Sequence, residues 1–348
     1  MTELYPFLLE PEFKERPWGA RDLSPIYDKK AEGQPIGEAW LTADTCKVAN
    51  GPLKGRSLQD LCREYGKAFL GDNCPNTSRF PLLIKFLFPR EKLSVQVHPD
   101  DEAARRIGQP CGKTECWYVL DAQPGAQVGL GLKPGITKQQ LAEAIAQKRA
   151  ELLLNWIPIN KGELIYVDAG TVHAIGPGSI LVETQQNSDT TYRLYDYGRP
   201  RELHVEQGLM AAKEKTRAGK VKPSVVEEDP TRVRLLVSPP SIRLVQSPCF
   251  EIWKRHLGPG SMVGRNDRVA NFRIVVALSG GGRVNENLPG VSSVAFHPGD
   301  VIVIPASVSI YEVEGQWEAD VLDITLAPTG ATAQPETSLT GFDTAAEP

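Results

Sequence analysis

The sequence predicts a mainly β protein made of two β-barrels, with a few helices inserted or appended. Glycine and proline number 31 and 28 among the 348 residues, about 17% of the chain against an average of about 12%, which favours short strands and turns over long helices. A weak internal repeat relates residues 162–173 to residues 299–310. Each copy has a glycine and an acid, an apolar run and a turn of small residues, which indicates two barrels of similar plan. The length also corresponds to about two domains.

Three helices are predicted from capping residues and apolar spacing. The segment 57–71 begins with serine, carries apolar residues at helical intervals and ends with glycine. The segment 136–157 has a similar pattern behind a threonine, and 204–213 predicts a shorter helix. Apolar runs bounded by turn residues predict the strands. These lie at 37–44, 80–89, 92–99, 114–120, 126–132, 162–175, 179–188, 190–198, 250–258, 272–280, 292–306 and 318–327.

A polar stretch containing proline separates the two strand-rich blocks. We therefore expect an N-terminal barrel domain with helical insertions at 1–215 and a linker at 216–240. A C-terminal barrel should follow at 241–327. The last stretch, 328–348, is rich in alanine, threonine, proline and glutamate, so we expect a disordered tail there.

Composition excludes several classes of protein. The net charge of −4 gives no basic footprint for nucleic acid or an anionic membrane. No window of 18 apolar residues predicts a membrane helix, and the first residues lack the pattern of a secretory signal. The six cysteines include no C-x-x-C pair, so free thiols in a reducing cytoplasm are expected. We expect a cytoplasmic monomer whose partner is a small molecule.

The segment KLSVQVHP predicts a polar face on one strand. Ser94, Gln96 and His98 alternate with apolar residues, and residues two apart on a strand share a face about 6–7 Å apart. A polar stripe that points into a barrel is costly unless a ligand, a metal or water satisfies it. This strand therefore presents a hydroxyl, an amide oxygen and an imidazole to one cavity.

Two further residues complete a candidate metal site. Glu115 begins the next predicted strand, and His173 follows a Gly-Thr-Val turn. Each histidine alone is more often a satisfied core residue than a ligand. Together with Gln96 and Glu115 they form a mixed nitrogen and oxygen donor set that suits Zn²⁺, and equally Fe²⁺, Mn²⁺ or Co²⁺.

The spacing of these residues resembles the two cupin motifs. Gln96-Val97-His98 is similar to the H-x-H of the first motif with its first ligand exchanged. Gly162, Asp168 and His173 match the second motif, with aspartate in place of proline. Longer segments resemble the type I phosphomannose isomerases, most closely their short bacterial form. These segments are PLLIKFLFPREKLSVQVHPDDEAA, GKTECWYVL and DAGTVHAIGPGSILVETQQNSDTTYRLYDYGR; an early PWGARDL…IGEAW segment is also similar.

The resemblance implies roles for nine residues. It implies one zinc ion per chain, bound by Gln96, His98, Glu115 and His173. It implies that Arg193 is an active-site arginine and that Ser94, Lys85 and Lys113 line the substrate cleft, with Glu183 as a nearby acid. In the second barrel, Ile310 stands where a cupin would have its histidine, which implies a metal-free domain.

The implied activity is the interconversion of mannose 6-phosphate and fructose 6-phosphate through an enediol(ate). From the residues alone, the proton-transfer base stays open between Glu183, Lys113 and a metal-bound water. A non-catalytic cupin that binds sugar phosphates as a sensor or scaffold is the alternative. A cupin oxygenase is disfavoured, because the cationic side chains suit an anionic substrate.

Overall fold

The computed structural model describes residues 2–226, 233–236, 241–260, 262–266, 271–286, 293–328, 330–332 and 334–340. Within them the chain is mainly β, which confirms the predicted fold class. The helices are α1 (Leu58–Tyr65), α2 (Lys67–Leu70), α3 (Asp101–Arg106), α4 (Lys138–Ala146), a 3₁₀ helix (Ala150–Leu153) and α5 (Val205–Ala211). No helix among the described residues is long and apolar enough to cross a membrane.

The strands of the first half are β1 (Phe7–Leu8), β2 (Glu12–Ala20), β3 (Ile36–Trp40), β4 (Leu82–Leu87), β5 (Val95–Val97), β6 (Glu115–Ala122), β7 (Gln127–Leu132), β8 (Leu154–Pro158), β9 (Leu164–Val167), β10 (His173–Ile175), β11 (Ser179–Gln186), β12 (Tyr192–Tyr195) and β13 (Gly219–Val221). Those of the second half are β14 (Ser224–Val225), β15 (Val233–Leu236), β16 (Ile242–Gln246), β17 (Phe250–Leu257), β18 (Met262–Asn266), β19 (Arg273–Ser279), β20 (Gly282–Glu286), β21 (Val294–Phe296), β22 (Val301–Ile304), β23 (Ile310–Gly315), β24 (Ala319–Leu326) and β25 (Thr337–Ser338).

These strands form two antiparallel sandwiches of the cupin type. In the first, the sheet β2-β3-β4-β11-β6-β9-β13-β25 faces the sheet β12-β5-β10-β7-β8. In the second, the sheet β1-β22-β19-β24-β17-β16-β14 faces the sheet β15-β18-β23-β20-β21. Among the described residues each unit is thus two facing sheets and not one closed barrel, because the outer strands of the facing sheets do not pair.

Apolar side chains fill the space between the sheets of each sandwich. Trp117, Leu130 and Val167 belong to the first core, and Phe296 and Val313 to the second. A larger core joins the two sandwiches. Helices α1 and α2 contribute side chains to this shared core. Burying each such side chain contributes about 1.5–3 kcal/mol.

The helix prediction at 204–213 is confirmed, and that at 57–71 is confirmed as two helices, α1 and α2, which are separated at Gly66. The prediction at 136–157 is wrong over part of its length. Helix α4 begins at Thr137, whose side chain and that of Gln140 form a capping box. It ends before Lys148, which has a φ of 58°, a left-handed value that a continuing helix does not allow. The apolar residues that follow form β8, since they pair with β7 in the five-stranded sheet.

The strand pairing crosses the expected domain boundaries. Strand β1 lies early in the sequence but pairs with β22 in the second sandwich. Strand β13, within the expected linker, pairs with β9 of the first sandwich and with β25 from the expected tail. Those short segments are ordered because each continues a sheet edge. Residues 227–232, 237–240 and 341–348 of the predicted linker and tail lie outside the described residues.

A buried ion-pair network lies in the second sandwich. Asp323 on β24 accepts hydrogen bonds from Arg273 Nε at 2.8 Å and from Arg255 Nε at 2.9 Å. All three residues are buried. One carboxylate thus neutralises part of the charge of two guanidinium groups inside the protein.

Candidate metal centre and adjoining cleft

Strand register brings the candidate ligands to one point inside the first sandwich. On β5, Gln96 lies directly opposite His173 of β10 on one side and Arg193 of β12 on the other. In the facing sheet, Glu183 of β11 lies opposite Lys85 of β4. The side chains that alternate toward the interior from these strands therefore meet between the sheets.

A tight loop brings Lys113 beside His98. The loop 107–114 runs against the start of α3, where Lys113 N donates to Pro99 O at 3.0 Å. A Cβ on Gly112 would lie 2.6 Å from the carbonyl carbon of Asp100, so this close approach requires glycine. The Gly-Lys-Thr-Glu run thus delivers Lys113 and the first residue of β6 to the same place.

His98, Glu115 and His173 form a compact cluster of metal-ligand atoms. Their ligand atoms all lie within 4.8 Å of one another, and all three residues are buried. Oε2 of Glu115 lies 3.5 Å from His98 Nε2, and its Oε1 lies 3.4 Å from His173 Nε2. Two imidazole nitrogens and one carboxylate form a donor set that holds borderline divalent cations.

Backbone carbonyls fix the tautomer of both histidines. His98 Nδ1 lies 3.0 Å from Thr190 O, and His173 Nδ1 lies 2.9 Å from Thr171 O. A carbonyl only accepts hydrogen bonds, so each Nδ1 carries the proton and each Nε2 presents a lone pair to the cluster. This is the orientation that a metal-ligating histidine requires.

The charges of the cluster suit a cation. Burial, with the Lys113 charge nearby, holds the pKa of His98 well below its usual range, and burial lowers that of His173 to about 4. Both imidazoles are therefore neutral near pH 7. Burial raises the pKa of Glu115 to about 7 although Lys113 opposes the shift. Neither oxygen of Glu115 accepts a hydrogen bond of good geometry, which leaves both as potential metal ligands.

Lys113 already presents a cation to the same atoms. Its Nζ lies 3.1 Å from His98 Nε2 and 3.0 Å from Glu115 Oε2. The residues present therefore fit a divalent ion by the chemistry of their donors and by the buried carboxylate, whose Oε1 accepts no hydrogen bond.

Gln96 also contacts the cluster, through its amide. Its Nε2 lies 3.1 Å from His173 Nε2, while its Oε1 accepts a hydrogen bond from Ser94 Oγ at 3.1 Å. Ligation of a metal by Gln96 requires the amide to be turned over so that oxygen faces the cluster, since only the oxygen has a lone pair to offer.

A cleft of about 390 Å³ adjoins the cluster. Six of the nine residues singled out from the sequence line it, whereas His98, Glu115 and His173 lie buried beside it. The six are Lys85, Ser94, Gln96, Lys113, Glu183 and Arg193. The cleft thus gives a ligand of sugar size access to the cluster.

A buried ion pair forms part of the cleft wall. Lys85 Nζ lies 3.0 Å from Glu183 Oε1, with both side chains at most 6% exposed. Burial disfavours the charge of Lys85, but Glu183 and Glu38 raise its pKa above the usual value. Burial likewise acts to raise the pKa of Glu183, but Lys85 and Lys113 hold it below its usual value. The pair therefore stays ionised near pH 7.

Arg193 is poorly compensated by its neighbours. Its NH1 donates to Glu202 O at 2.8 Å, and its buried Nε has no hydrogen-bond partner. Burial and the nearby Arg201 lower the pKa of Arg193. A guanidinium in this position favours the arrival of an anion.

Sequence reasoning missed several residues of the cleft. Arg16, Trp18, Glu38, Asp189 and Arg201 also line it. The similar early segment PWGARDL…IGEAW included two of them, Trp18 and Glu38, but assigned them no role. Arg16 and Arg201 belong to no short motif, so their place depends on strand pairing that a single sequence does not reveal.

Fold and site define a cupin with a buried cluster of two histidines and one glutamate that could hold a metal ion. A family model described as phosphomannose isomerase type I, catalytic domain, matches residues 7–124. The mannose-6-phosphate isomerase of Streptococcus mutans is 33% identical over 323 residues, covering 90% of this chain and 96% of that protein. A probable mannose-6-phosphate isomerase of Bacillus subtilis is 32% identical over 325 residues, covering 90% and 98%.

A solved structure is similar over nearly the whole chain. The crystal structure of the mannose 6-phosphate isomerase from Bacillus subtilis superposes with a TM-score of 0.80 at 31% identity, covering 92% of this chain and 99% of that one. This chain belongs to the type I phosphomannose isomerase family.

Proposed function

We infer that this chain interconverts mannose 6-phosphate and fructose 6-phosphate as an aldose–ketose isomerase. The observation that carries the inference is the buried His98, Glu115 and His173 cluster beside a cleft lined by cationic side chains. Relatives that span about nine-tenths of the chain are named mannose-6-phosphate isomerases. A sensor would need the cationic cleft but not a ligand-ready metal cluster.

We propose one Zn²⁺ per chain, held by His98, Glu115, His173 and Gln96. Nitrogen and oxygen donors of this kind suit zinc, although other divalent ions compete for them. When bound, the ion supplies Lewis-acid stabilisation of negative charge that develops on the C1 and C2 oxygens of the sugar. The fixed histidine tautomers and the buried carboxylate support this assignment.

Glu183 and Lys113 are the proposed acid–base groups, because both line the cleft. The lowered pKa of Glu183 keeps it as a carboxylate, the form that accepts a proton from carbon. Lys113 carries a proton that it can donate to a sugar oxygen. Such positioned groups contribute about 10²–10⁴-fold to a proton transfer.

Arg193, Ser94 and Lys85 are proposed to bind the substrate. Arg193 has an uncompensated charge and an unused Nε–H, which suit a phosphate or a developing oxyanion. Ser94 Oγ donates to Gln96 Oε1 and would be released to donate to a hydroxyl or a phosphate oxygen when the amide of Gln96 is turned over. Lys85 remains paired with Glu183 and presents its ammonium at the cleft wall.

The wider organisation is also a proposal. We propose that the first sandwich carries the chemistry and that the second, with Ile310 at the position of a cupin histidine, serves as scaffold. All six cysteines are free thiols, which supports a reducing cytoplasm as the location. A monomer is proposed as the working unit.

A coupled assay tests the activity directly. Purified protein loaded with zinc should convert mannose 6-phosphate to fructose 6-phosphate, followed through a second isomerase and a dehydrogenase. Elemental analysis should find about one divalent ion per chain. Tight binding of mannose 6-phosphate by the metal-loaded protein without any turnover would instead support the sensor.

A further inference from the structure

The cleft wall contains an ion pair that the chemistry above does not use. Arg16 NH2 lies 2.9 Å from Glu38 Oε2, and both residues line the cleft. The same oxygen accepts a hydrogen bond from Trp40 Nε1 at 2.7 Å. Glu38 therefore holds two donors on one oxygen, and its second oxygen stays available to a ligand.

The fold holds this pair rigidly. Strand β2 bulges between Glu15 and Ala20, since both lie opposite Ile36 in β3. Bulges redirect side chains, and this one presents Arg16 to the cleft. A Cβ on Gly37 would lie 2.5 Å from Arg16 Cβ. Glycine at this position therefore lets the arginine lie flat against β3.

The guanidinium groups near Arg193 are only partly compensated by carboxylates. Asp196 is a buried carboxylate that binds two other cations. Arg201 contacts both of its oxygens, Nε and NH2 each at 2.6 Å, and Arg199 NH1 lies 3.2 Å from Oδ1. Arg193 itself donates to a backbone carbonyl. Glu15 and Asp189 at the rim are solvent-exposed, so their charges are screened.

Charge compensation therefore distinguishes two kinds of arginine in the cleft. Arg16 is paired with the carboxylate of Glu38, whereas the guanidinium of Arg193 donates to a backbone carbonyl. A dianionic phosphate prefers uncompensated guanidinium groups. A neutral pair with free donors and a free carboxylate oxygen suits hydroxyl groups, which both donate and accept.

We propose that Arg16 and Glu38 form a hydroxyl-binding dyad that selects substrates by their polyol chain. The ligand class is a phosphorylated polyol whose phosphate binds Arg193 and whose hydroxyl groups contact the dyad. Glu38 accepts a hydrogen bond from one hydroxyl while Arg16 donates to a neighbouring one. This proposal deepens the proposed function and rests on it for the identity of the substrate.

Binding of three anions of increasing length tests the dyad. The probes are inorganic phosphate, glycerol 3-phosphate and mannitol 1-phosphate, none of which has a carbonyl group, so none can be isomerised. Calorimetry on the zinc-loaded protein should show mannitol 1-phosphate binding roughly ten- to a hundredfold tighter than glycerol 3-phosphate, as expected for hydrogen bonds to charged groups. Glu38→Ala should abolish that advantage and leave the dissociation constant of inorganic phosphate within about twofold.

Two variants serve as controls for this experiment. Glu38→Gln keeps the shape of the side chain and should retain part of the advantage. Glu12→Gln removes a partly exposed carboxylate that pairs with Lys14 on the same strand and should keep all of it. Three outcomes would overturn the dyad. Glu38→Ala could weaken the binding of all three probes equally, or it could leave the advantage of mannitol 1-phosphate unchanged. The wild type could also fail to bind the probes. If the wild type binds the series but does not interconvert the two hexose phosphates, the proposed function fails and the dyad stands.

Discussion

Replacing Lys85 by methionine is expected to destabilise the protein in a pH-dependent way. Lys85 and Glu183 lie opposite each other on β4 and β11, with 3.0 Å between Nζ and Oε1. Methionine has a similar volume but leaves Glu183 buried without its main counter-charge. Breaking a buried ion pair in this way costs about 3–5 kcal/mol of unfolding free energy.

The sign of the pH dependence follows from the pKa of Glu183. In the wild type, burial acts to raise the pKa of Glu183, but the charges of Lys85 and Lys113 outweigh this effect. The pKa therefore lies below its ordinary value of 4.5. This carboxylate therefore stabilises the fold above pH 4.5, and the stabilisation is lost as the pH falls through the lowered pKa. In Lys85→Met, burial should raise the pKa of Glu183 above 4.5. The folded state then keeps a proton that the unfolded chain releases, so stability falls as the pH rises from 4.5 toward the new pKa.

Urea denaturation of the metal-free protein at pH 5 and pH 8 measures the effect. The loss relative to the wild type should be small at pH 5 and reach about 3–5 kcal/mol at pH 8. The double variant Lys85→Met/Glu183→Gln should recover most of it, since no charge is then stranded. Lys67→Met, which removes one partner of an exposed pair, should change stability by less than about 0.5 kcal/mol. An equal loss at both pH values, or no recovery in the double variant, would refute the reasoning.

Three further outcomes are expected. His173→Ala removes one of three buried ligands, so elemental analysis should find the divalent ion reduced to well below one per chain while circular dichroism is unchanged; a full complement of metal would contradict the proposed site. Asp323→Asn removes the carboxylate charge that Arg255 and Arg273 both contact, and urea denaturation should show a loss of up to about 3–5 kcal/mol; a neutral effect would mean that this carboxylate contributes little. Arg193→Lys loses bidentate geometry, so kcat/KM should fall roughly tenfold or more with metal content retained, and an unaltered kcat/KM would remove Arg193 from substrate binding.

The fold class and the metal cluster were accessible from the sequence because their signals are local. Strand periodicity and the Gln96-x-His98 pattern lie within a few residues of each other, and Glu115 follows its own glycine-lysine pair. Three-dimensional pairing was needed only to bring these short segments together.

The remaining features depend on pairing between distant segments. The segment 154–158 fits the predicted helix until its pairing with β7 makes it a strand. Arg16 faces the cleft because of a bulge against β3, which leaves no periodic mark in the sequence. The short α3 was also not anticipated, although Asp100 caps it through a hydrogen bond from Ala103 N.

Each sandwich contains a strand that comes from the opposite end of the chain. Strand β1 completes a sheet of the second unit, while β25 extends the first through β13. Dividing the polypeptide anywhere between the sandwiches would thus leave both halves with bare hydrogen-bonding edges and an opened shared core. The halves are interlocked, so we expect them to melt together in one cooperative transition and to complement each other when expressed as separate fragments. The first sandwich released on its own would be a poor starting point for engineering.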